Sequence, residues 1–309
     1  MLNNTGYRRY NTMVAQSLLS LTQDFSDIIT PGLKANVKFA WDAQNATLLE
    51  RAMSPVTYYA TGRDENGELM LTAANPNGSN YMRLATSDSS GTTAINFEGS
   101  LIYERLFAED HRVSGMFLYS VRSKSKNRPV NYIDAYPTKN MGIAGRFTYA
   151  FRDKYFAEFN FGYNGSENFA AGKRFGFFPS VALGWNISNE KFFAPLKKTV
   201  SNLKLRASYG MTGNYSIAAY ATAGTLHGKY ANFNGGELHR PGLEPETRPT
   251  PDLEWERNKM LDIGLDFGFL KGRIHGTIDY YDSKSYDLLY LKVLPYTSGF
   301  NRAWTNIGD

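Results

Sequence analysis

The sequence predicts an all-β protein, namely a section of an antiparallel transmembrane β-barrel. Three observations predict it: strict alternation of apolar and polar residues, an aromatic-rich composition with negative mean hydropathy, and short turns that alternate with long polar loops. Residues 261–269 show the alternation most clearly, with one apolar set on a single parity: Leu261, Ile263, Leu265, Phe267 and Phe269. A period of two places each set on one face of an extended strand. Such strands are typical of a barrel wall that faces lipid on one side and a wet lumen on the other.

The composition supports strands that are apolar on one face only. The 309 residues are 15% aromatic, with 21 Tyr and 20 Phe, yet the mean hydropathy is −0.42. A soluble core relies on Leu, Ile and Val, whereas a barrel wall needs rings that tolerate the membrane–water boundary. No apolar run approaches the roughly 18 residues of a membrane helix. We therefore assign any membrane crossing to strands.

Charge, cysteine and histidine usage argue against several functional classes. The chain has no Cys, so it holds no disulfide and no thiolate metal site. Its net charge of +5 is spread without a Lys/Arg block, which indicates loop and lumen charge and no nucleic-acid partner. The histidines lie far apart without metal-ligand spacing: His111, His227, His239 and His275. We predict no catalytic residues, no cofactor and no metal, and hence a protein that is not an enzyme.

The first half of the chain alternates between predicted strands and polar loops. Strands are predicted at 10–21, 33–41, 95–104 and 113–121, and polar loops at about 61–90 and 123–140. The Pro31-Gly32 pair and the stretch 108–111 supply short turns between strands. The loop at 61–90 is rich in Gly, Asn, Asp and Ser, and we expect a short hairpin inside it.

The second half repeats the pattern, and the whole chain gives roughly a dozen strands. Strands are predicted at 143–151, 155–163, 181–187, 203–209, 261–269 and 274–281, followed by a segment toward Val293. Turns fall at 152–154 and 271–272, and the stretch Ser188-Asn189-Glu190 is predicted to cap one or two helical turns that end at Leu196. Residues 227–252, with four Pro, are predicted to be the longest loop.

The unequal connections favour a barrel over the main alternative fold. Outer-membrane barrels have short turns on the periplasmic side and long loops outside. A soluble two-sheet sandwich would instead press its apolar faces together, and its strands are usually only about 5–6 residues long. The longer amphipathic strands of this chain favour the barrel.

Several short motifs add a family resemblance. They are PSVALGWNIS at 179–188, LKLRASYGMTGN at 203–214, LEWE at 253–256, DIGLD at 262–266, DYY at 279–281, DLL at 287–289, TSGF at 297–300 and TNIG at 305–308. In this order and spacing they resemble the barrel of the SusC/RagA family, the TonB-linked outer-membrane transporters of Bacteroidota. The resemblance is dense from Gly142 to Asp309 and weaker from Tyr7 to Ser125.

The resemblance implies a transporter that is larger than residues 1–309. It implies a 22-stranded barrel in the outer membrane of a Gram-negative bacterium, closed by an N-terminal plug, capped by a SusD-like surface lipoprotein and energised through TonB. We expect residues 1–309 to be part of the barrel, with the plug, the signal peptide and the last strands lying outside them. The family imports mostly oligosaccharides, and peptides in some members. The alternatives are a passive porin-like channel, a surface-binding β-barrel and, less favoured, a soluble β-sandwich adhesin.

Loop aromatics are the best candidates for substrate contact. We select five that should lie at an extracellular rim: Tyr220, Tyr230, Phe233, Phe300 and Trp304. For Trp185, Trp255 and Trp304, stacking on sugar rings competes with an interfacial girdle position, and the girdle is favoured. Glu256 and Asp262 are expected to be lumen-facing or strand-end polar groups with no assigned role.

Overall fold

A computed structural model describes residues 6–79, 81–129, 133–217, 222, 225–233 and 238–308. The described part is almost entirely β. Its strands are β1 Gly6–Asp24, β2 Leu33–Ala52, β3 Tyr58–Arg63, β4 Leu69–Ala73, β5 Arg83–Phe107, β6 His111–Lys126, β7 Thr138–Phe151, β8 Tyr155–Ser166, β9 Phe175–Asn186, β10 Val200–Asn214, β11 Thr225–Phe233, β12 Leu238–Arg248, β13 Glu256–Phe269, β14 Ile274–Tyr286, β15 Leu288–Val293 and β16 Arg302–Ile307. Short 3₁₀ helices occupy Ile187–Asn189, Lys191–Lys198 and Tyr296–Ser298. No helix among these residues is long and apolar enough to cross a membrane.

Ten of the strands form one sheet in the order β1-β2-β5-β6-β7-β8-β9-β10-β13-β14, which we call the wall. The wall pairs from β7 to β14 whose register is known are all antiparallel. Strands β1 and β14 are the two edges, so the described wall does not close on itself. The predicted all-β antiparallel fold, a partial barrel, is thereby confirmed.

The register of the wall strands separates two chemically different faces. Leu205 of β10 lies opposite Trp185 of β9 and Leu265 of β13, whereas Arg206 lies opposite Gly184 and Gly264. Directly opposed residues share a face. One face is therefore apolar, and the other carries the polar and small residues: Thr148, Glu158, Asn160, Ala182, Lys204, Ser208, Asp262, Asp266, Thr277 and Asp279.

The apolar face has no protein layer over it. Leu183, Ile278 and Tyr280 are 60%, 62% and 65% exposed. Buried apolar side chains in the described part are few: Ala94, Ala150, Phe169, Phe193, Leu253, Trp255 and Ala303. A sandwich would have buried this face against a second sheet, so the face needs an apolar solvent.

Short turns join the wall strands at one end, which we call the short-turn end. Three of them place two consecutive residues at positive φ: Ala108 and Glu109, Arg152 and Asp153, Leu270 and Lys271. Two consecutive positive φ values are typical of the central residues of a type I′ turn, whose twist suits paired strands. The strand ends leave three residues in the first two connections and four in the third. The turn at 152–153 is also tied to its neighbour, because Arg152 Nη2 donates to Asp110 Oδ2 at 2.7 Å.

The connections at the other end, the long-loop end, correct two predictions. The hairpin expected within 61–90 is present as β3 and β4, but residues 83–90 belong to β5 and are not loop. Their Ser, Thr and Asp side chains resemble loop composition, yet their backbones pair in the sheet. The long loop predicted at 227–252 is wrong, because β11 and β12 form an antiparallel hairpin. Proline is tolerated in β12 because its other neighbour, β16, pairs with it only at Thr247 and Arg248.

The helical segment predicted between β9 and β10 is present, and its longer helix begins after Glu190, the last residue of the predicted cap. Ser188 lies inside the 3₁₀ helix Ile187–Asn189, and its hydroxyl donates to Asn186 Oδ1 at 2.7 Å. The longer helix Lys191–Lys198 starts after Glu190, whose side chain makes no capping bond. The Glu190 carboxylate instead accepts hydrogen bonds from Lys154, in the turn before β8, and from Trp185 of β9.

The chain contains two compact units. The first comprises residues 1–17, 41–94 and 124–137, and its polar side chains bond to one another, with Asn127 linked to Asn45 at 2.8 Å and to Thr93 at 2.9 Å. The second comprises residues 18–40, 95–123 and 138–309 and contains the two-faced part of the wall from β7 to β14.

A charge placed on the apolar face tests this orientation. We expect Val181→Arg to cost about 2–4 kcal/mol of stability in a bilayer, because the side chain would face hydrocarbon. The control is Ser208→Arg on the adjacent strand, at a position of opposite face. Folding into lipid vesicles, followed by heat-dependent gel mobility, measures both. Equal losses in the two variants would contradict the assignment of faces.

Candidate functional site

The polar face is centred on Arg206 of β10, which is surrounded by three carboxylates. Its guanidinium donates to Asp279 Oδ1 at 2.5 Å and to Asp266 Oδ1 at 3.3 Å, and lies 3.8 Å from Asp262 Oδ2. Gly264 lies opposite Arg206, and a Cβ there would be 2.5 Å from Arg206 Cζ. The missing side chain lets the guanidinium lie across β13 to reach β14. The group carries one positive and three negative charges, and Lys204 of β10 lies opposite Asp266 on the same face.

A shallow groove of about 350 Å³ lies beside this group on the polar face. Its lining includes small residues, Ala150, Ala182 and Gly184, together with the charged Glu158 and Lys204. The Glu158 carboxylate accepts from Arg146 and from Asn160, each at 2.8 Å. Phe156 also lines the groove, with Lys204 Nζ 4.9 Å from its ring centroid. The groove therefore combines fixed charges, small side chains and an aromatic ring.

A second ionic group closes the short-turn end. The Glu190 carboxylate accepts from Lys154 Nζ at 2.9 Å and from Trp185 Nε1 at 3.3 Å, and its side chain is only 12% exposed. The hydrogen bond from Lys154, followed by those from Tyr155 and Trp185, lowers the pKa of Glu190 to about 2 from its ordinary 4.5. The Trp185 ring lies on the apolar face while its N–H is satisfied by a carboxylate. This arrangement is typical of an interfacial tryptophan.

At the long-loop end the structure buries an aromatic cluster that periodicity did not predict. Phe169, Leu253 and Trp255 are 1%, 1% and 6% exposed, and the Trp255 ring stacks on Phe169 with centroids 5.2 Å apart. The indole N–H of Trp255 donates to the Arg174 carbonyl at 3.2 Å. We call this the rim cluster; the half-buried residues packed against it are Phe178, Ile217, Leu289 and Trp304. The girdle position favoured for Trp255 is therefore wrong, because its ring is buried. Trp304 is only half-buried against the cluster, and its girdle position stays a prediction.

Four of the five predicted contact residues lie in described segments at the long-loop end, and the roles of all five remain predictions. Tyr220 lies outside the described residues. Tyr230 and Phe233 lie in β11, where their backbones pair with Pro241 and Leu238. Phe300 is half-buried beside the turn at 296–298, and its N–H donates to Ser298 Oγ at 3.3 Å. Trp304 offers only part of its ring, since the rest packs on the rim cluster.

Residues without a predicted role prove to be structural. Asp262 belongs to the Arg206 group, and Glu256 Oε2 accepts the backbone N–H of Leu289 at 3.2 Å. Among the described residues, no three His, Asp or Glu side chains are grouped to hold a metal ion. His111 Nδ1 lies 2.7 Å from Tyr149 Oη, and its neighbours are rings.

Comparison with known proteins identifies the family. The sequence pattern of the family described as TonB dependent receptor-like, beta-barrel, matches residues 2–309. This chain belongs to that family. The TonB-dependent receptor SusC of Bacteroides thetaiotaomicron is 37% identical to it over 181 residues, which are 57% of this chain and 18% of SusC. The TonB-dependent receptor P26 of Formosa agariphila is 31% identical over 243 residues, which are 71% of this chain and 24% of P26.

Solved structures agree on the fold. The RagAB peptide importer in its closed-closed state matches with a TM-score of 0.70 at 20% identity, over 97% of this chain and 33% of the importer chain. The chain thus spans about a fifth of the length of the curated relatives and a third of the importer chain. The SusC/RagA resemblance is confirmed. TonB-dependent receptors are outer-membrane β-barrels of Gram-negative bacteria, which accounts for an apolar face without a protein cover.

Removing the positive charge of the Arg206 side chain tests the Arg206 group. We expect Arg206→Gln to destabilise this receptor barrel by about 1–2 kcal/mol, since three partly exposed carboxylates lose their shared partner. Arg146→Gln is the matched control, because Arg146 pairs with one carboxylate, Glu158, and should cost less than about 1 kcal/mol. Urea unfolding in lipid vesicles, followed by Trp fluorescence, compares the two. A smaller loss at Arg206 than at Arg146 would contradict the interpretation.

The low pKa of Glu190 predicts a pH-dependent contribution to stability. The pKa is lowered by folding, so the contribution is complete above about pH 4.5 and is lost as the pH falls toward 2. We expect Glu190→Gln to lower the melting temperature by a constant amount from pH 7 to 5. The difference from wild type should then shrink between pH 4.5 and 2. Glu65→Gln, in the exposed β3–β4 turn, is the control and should follow wild type throughout.

Proposed function

We propose that this chain forms a section of the barrel of an outer-membrane transporter that imports nutrients by TonB-dependent active transport. The observation that carries the proposal is the two-faced wall in a chain of the TonB-dependent receptor family. Its uncovered apolar face suits lipid, and its opposite face presents fixed charges and small residues to a lumen. Nothing in that arrangement requires a reaction at the wall. Transport through the barrel is therefore the function it supports best.

The proposed substrate class is oligosaccharides, with peptides as the second candidate. The relation to SusC at 37% identity supports the SusC/RagA type of transporter, whose members import mostly glycans. Peptides are the alternative because the SusC/RagA resemblance includes members that import them; the likeness to the RagAB peptide importer, at 20% identity, bears on the fold alone. A polar, charged face accommodates either kind of hydrated solute.

The proposal includes partners and a place in the cell. A SusD-like surface lipoprotein would cap the long-loop end, and TonB would act through a plug domain that residues 1–309 do not form. Lipid of the outer membrane would cover the apolar face. The Bacteroides and Formosa relatives support a Bacteroidota host. Residues 1–309 are proposed to be wholly barrel, in line with the family match to 2–309.

Uptake by intact cells tests energised import against passive passage. We expect deletion of the gene to abolish growth on particular oligosaccharides as sole carbon source, and the complete gene to restore it. Uptake of a fluorescently labelled oligosaccharide should stop when a protonophore collapses the proton gradient or when TonB is deleted. Uptake that survives both treatments would favour the passive porin-like channel. If deletion of the gene abolishes growth on peptides and leaves growth on oligosaccharides unchanged, the proposed substrate would be peptides.

A further inference from the structure

The chain turns a sharp corner at Asp287, where it leaves the wall. Strand β14 ends at Tyr286 and β15 begins at Leu288, so a single residue joins the wall to a different sheet. Asp287 has a φ of 55°, which L-residues other than Asn and Asp rarely adopt. The second sheet has the order β11-β12-β16-β15, and we call it the rim sheet. A backbone of this kind persists only where surrounding contacts hold it.

One such contact comes from the start of the neighbouring wall strand, β13. Arg257, near the start of β13, directs two N–H groups at the same oxygen of Asp287, with its Nε at 3.0 Å and its Nη2 also in contact. Both side chains are partly exposed, at 43% and 29%. The pair fixes the direction of the corner, and its surface position makes it only a modest source of stability.

The stronger contact is Asn306 of β16, whose side chain satisfies three backbone groups. Its Nδ2 donates to the carbonyl of Asp287 at 2.7 Å and to that of Glu254 at 2.9 Å, and its Oδ1 accepts the N–H of Glu254 at 2.9 Å. An amide can meet a donor and two acceptors at once, whereas a carboxylate offers only acceptors. Asn306 thereby ties the corner and the segment before β13 to the rim sheet.

Apolar packing also connects the rim sheet to the segment before β13. Leu289 of β15 and Trp304 of β16 pack against the rim cluster around Trp255, and the Leu289 N–H donates to Glu256. Three family-like motifs that are far apart in the sequence, at 253–256, 287–289 and 305–308, therefore meet at one place. The periodicity of the sequence does not predict these contacts, because the residues that they join lie 19 to 52 positions apart.

We propose that Arg257, Asp287 and Asn306 form a corner lock that holds the rim sheet in a fixed position on the wall, as the stationary part of the substrate entrance. The role at the entrance rests on the proposed function, whereas the lock itself does not. These three are positioning residues. They act on substrate through the β15–β16 hairpin of the rim sheet, which carries Trp304.

Spin labels on the two sides of the corner measure the lock directly. The printed sequence has no Cys, so Lys284→Cys on β14 and Tyr290→Cys on β15 supply two label sites, both exposed. In the complete protein in lipid, we expect one narrow distance distribution. Asn306→Ala and Asp287→Gly should broaden it, and Asp287→Asn should keep it narrow, because Asn tolerates positive φ and can still accept from Arg257. Asn160→Ala, on the polar face of β8, is the matched control.

Uptake kinetics supply the second readout. We expect Asn306→Ala to raise the half-saturating substrate concentration by about fivefold or more, with the amount of folded barrel unchanged, because mobile contact residues bind more weakly. Narrow distributions in every variant would overturn the lock. Broad distributions with unaltered uptake would overturn its role at the entrance. If wild type imports no oligosaccharide or peptide, the proposed function fails, while the distance measurement still decides the lock.

Discussion

Backbone hydrogen bonding in a medium without water is the constraint on which the wall depends. Lipid offers no partner to an N–H or C=O group, so each wall strand must pair with its neighbours in a continuous ladder. The antiparallel register that satisfies this need also decides which side chains share a face. Arg206 faces Gly184 and Gly264, and Leu205 faces Trp185 and Leu265, for that reason alone. A slip of one residue would exchange lipid-facing and lumen-facing sets along the whole strand.

The positions of the charged groups follow from that register. One group lies on the polar face of the wall and the other at its short-turn end. In the Arg206 group, carboxylates from β13 and β14 converge on a cation of β10, and the open space at Gly264 makes the crossing possible. At the short-turn end, Lys154, Trp185 and Glu190 tie the β8 and β9 strands to the 3₁₀ connection. Both groups link three or more segments, so they stabilise the order of strands as well as individual pairs.

The long-loop end is organised differently, by burial and by a few directed hydrogen bonds. The rim cluster brings the β8–β9 connection, the segment before β13 and the β15–β16 hairpin around Trp255, which gives this end a buried apolar cluster. Asn306 and Arg257 then fix the corner at Asp287. A barrel wall that is open to lipid and lumen has little core of its own. Rigidity at its entrance must therefore come from local contacts such as the rim cluster and the hydrogen bonds of Asn306 and Arg257.

The sequence by itself determined the strands of the wall, their two faces and the short turns, because a period of two and a turn composition are local properties. Its motifs also led to the family. It failed where composition misleads: residues 83–90 look like loop but pair as strand, and the prolines of β12 are tolerated beside a neighbour that barely pairs. Only the tertiary structure decided that Trp255 is buried, that Asp262 pairs with Arg206 and that Asn306 reaches Asp287. These contacts join segments that no local spacing relates, so they exist only once the register and the corner have brought the chain together.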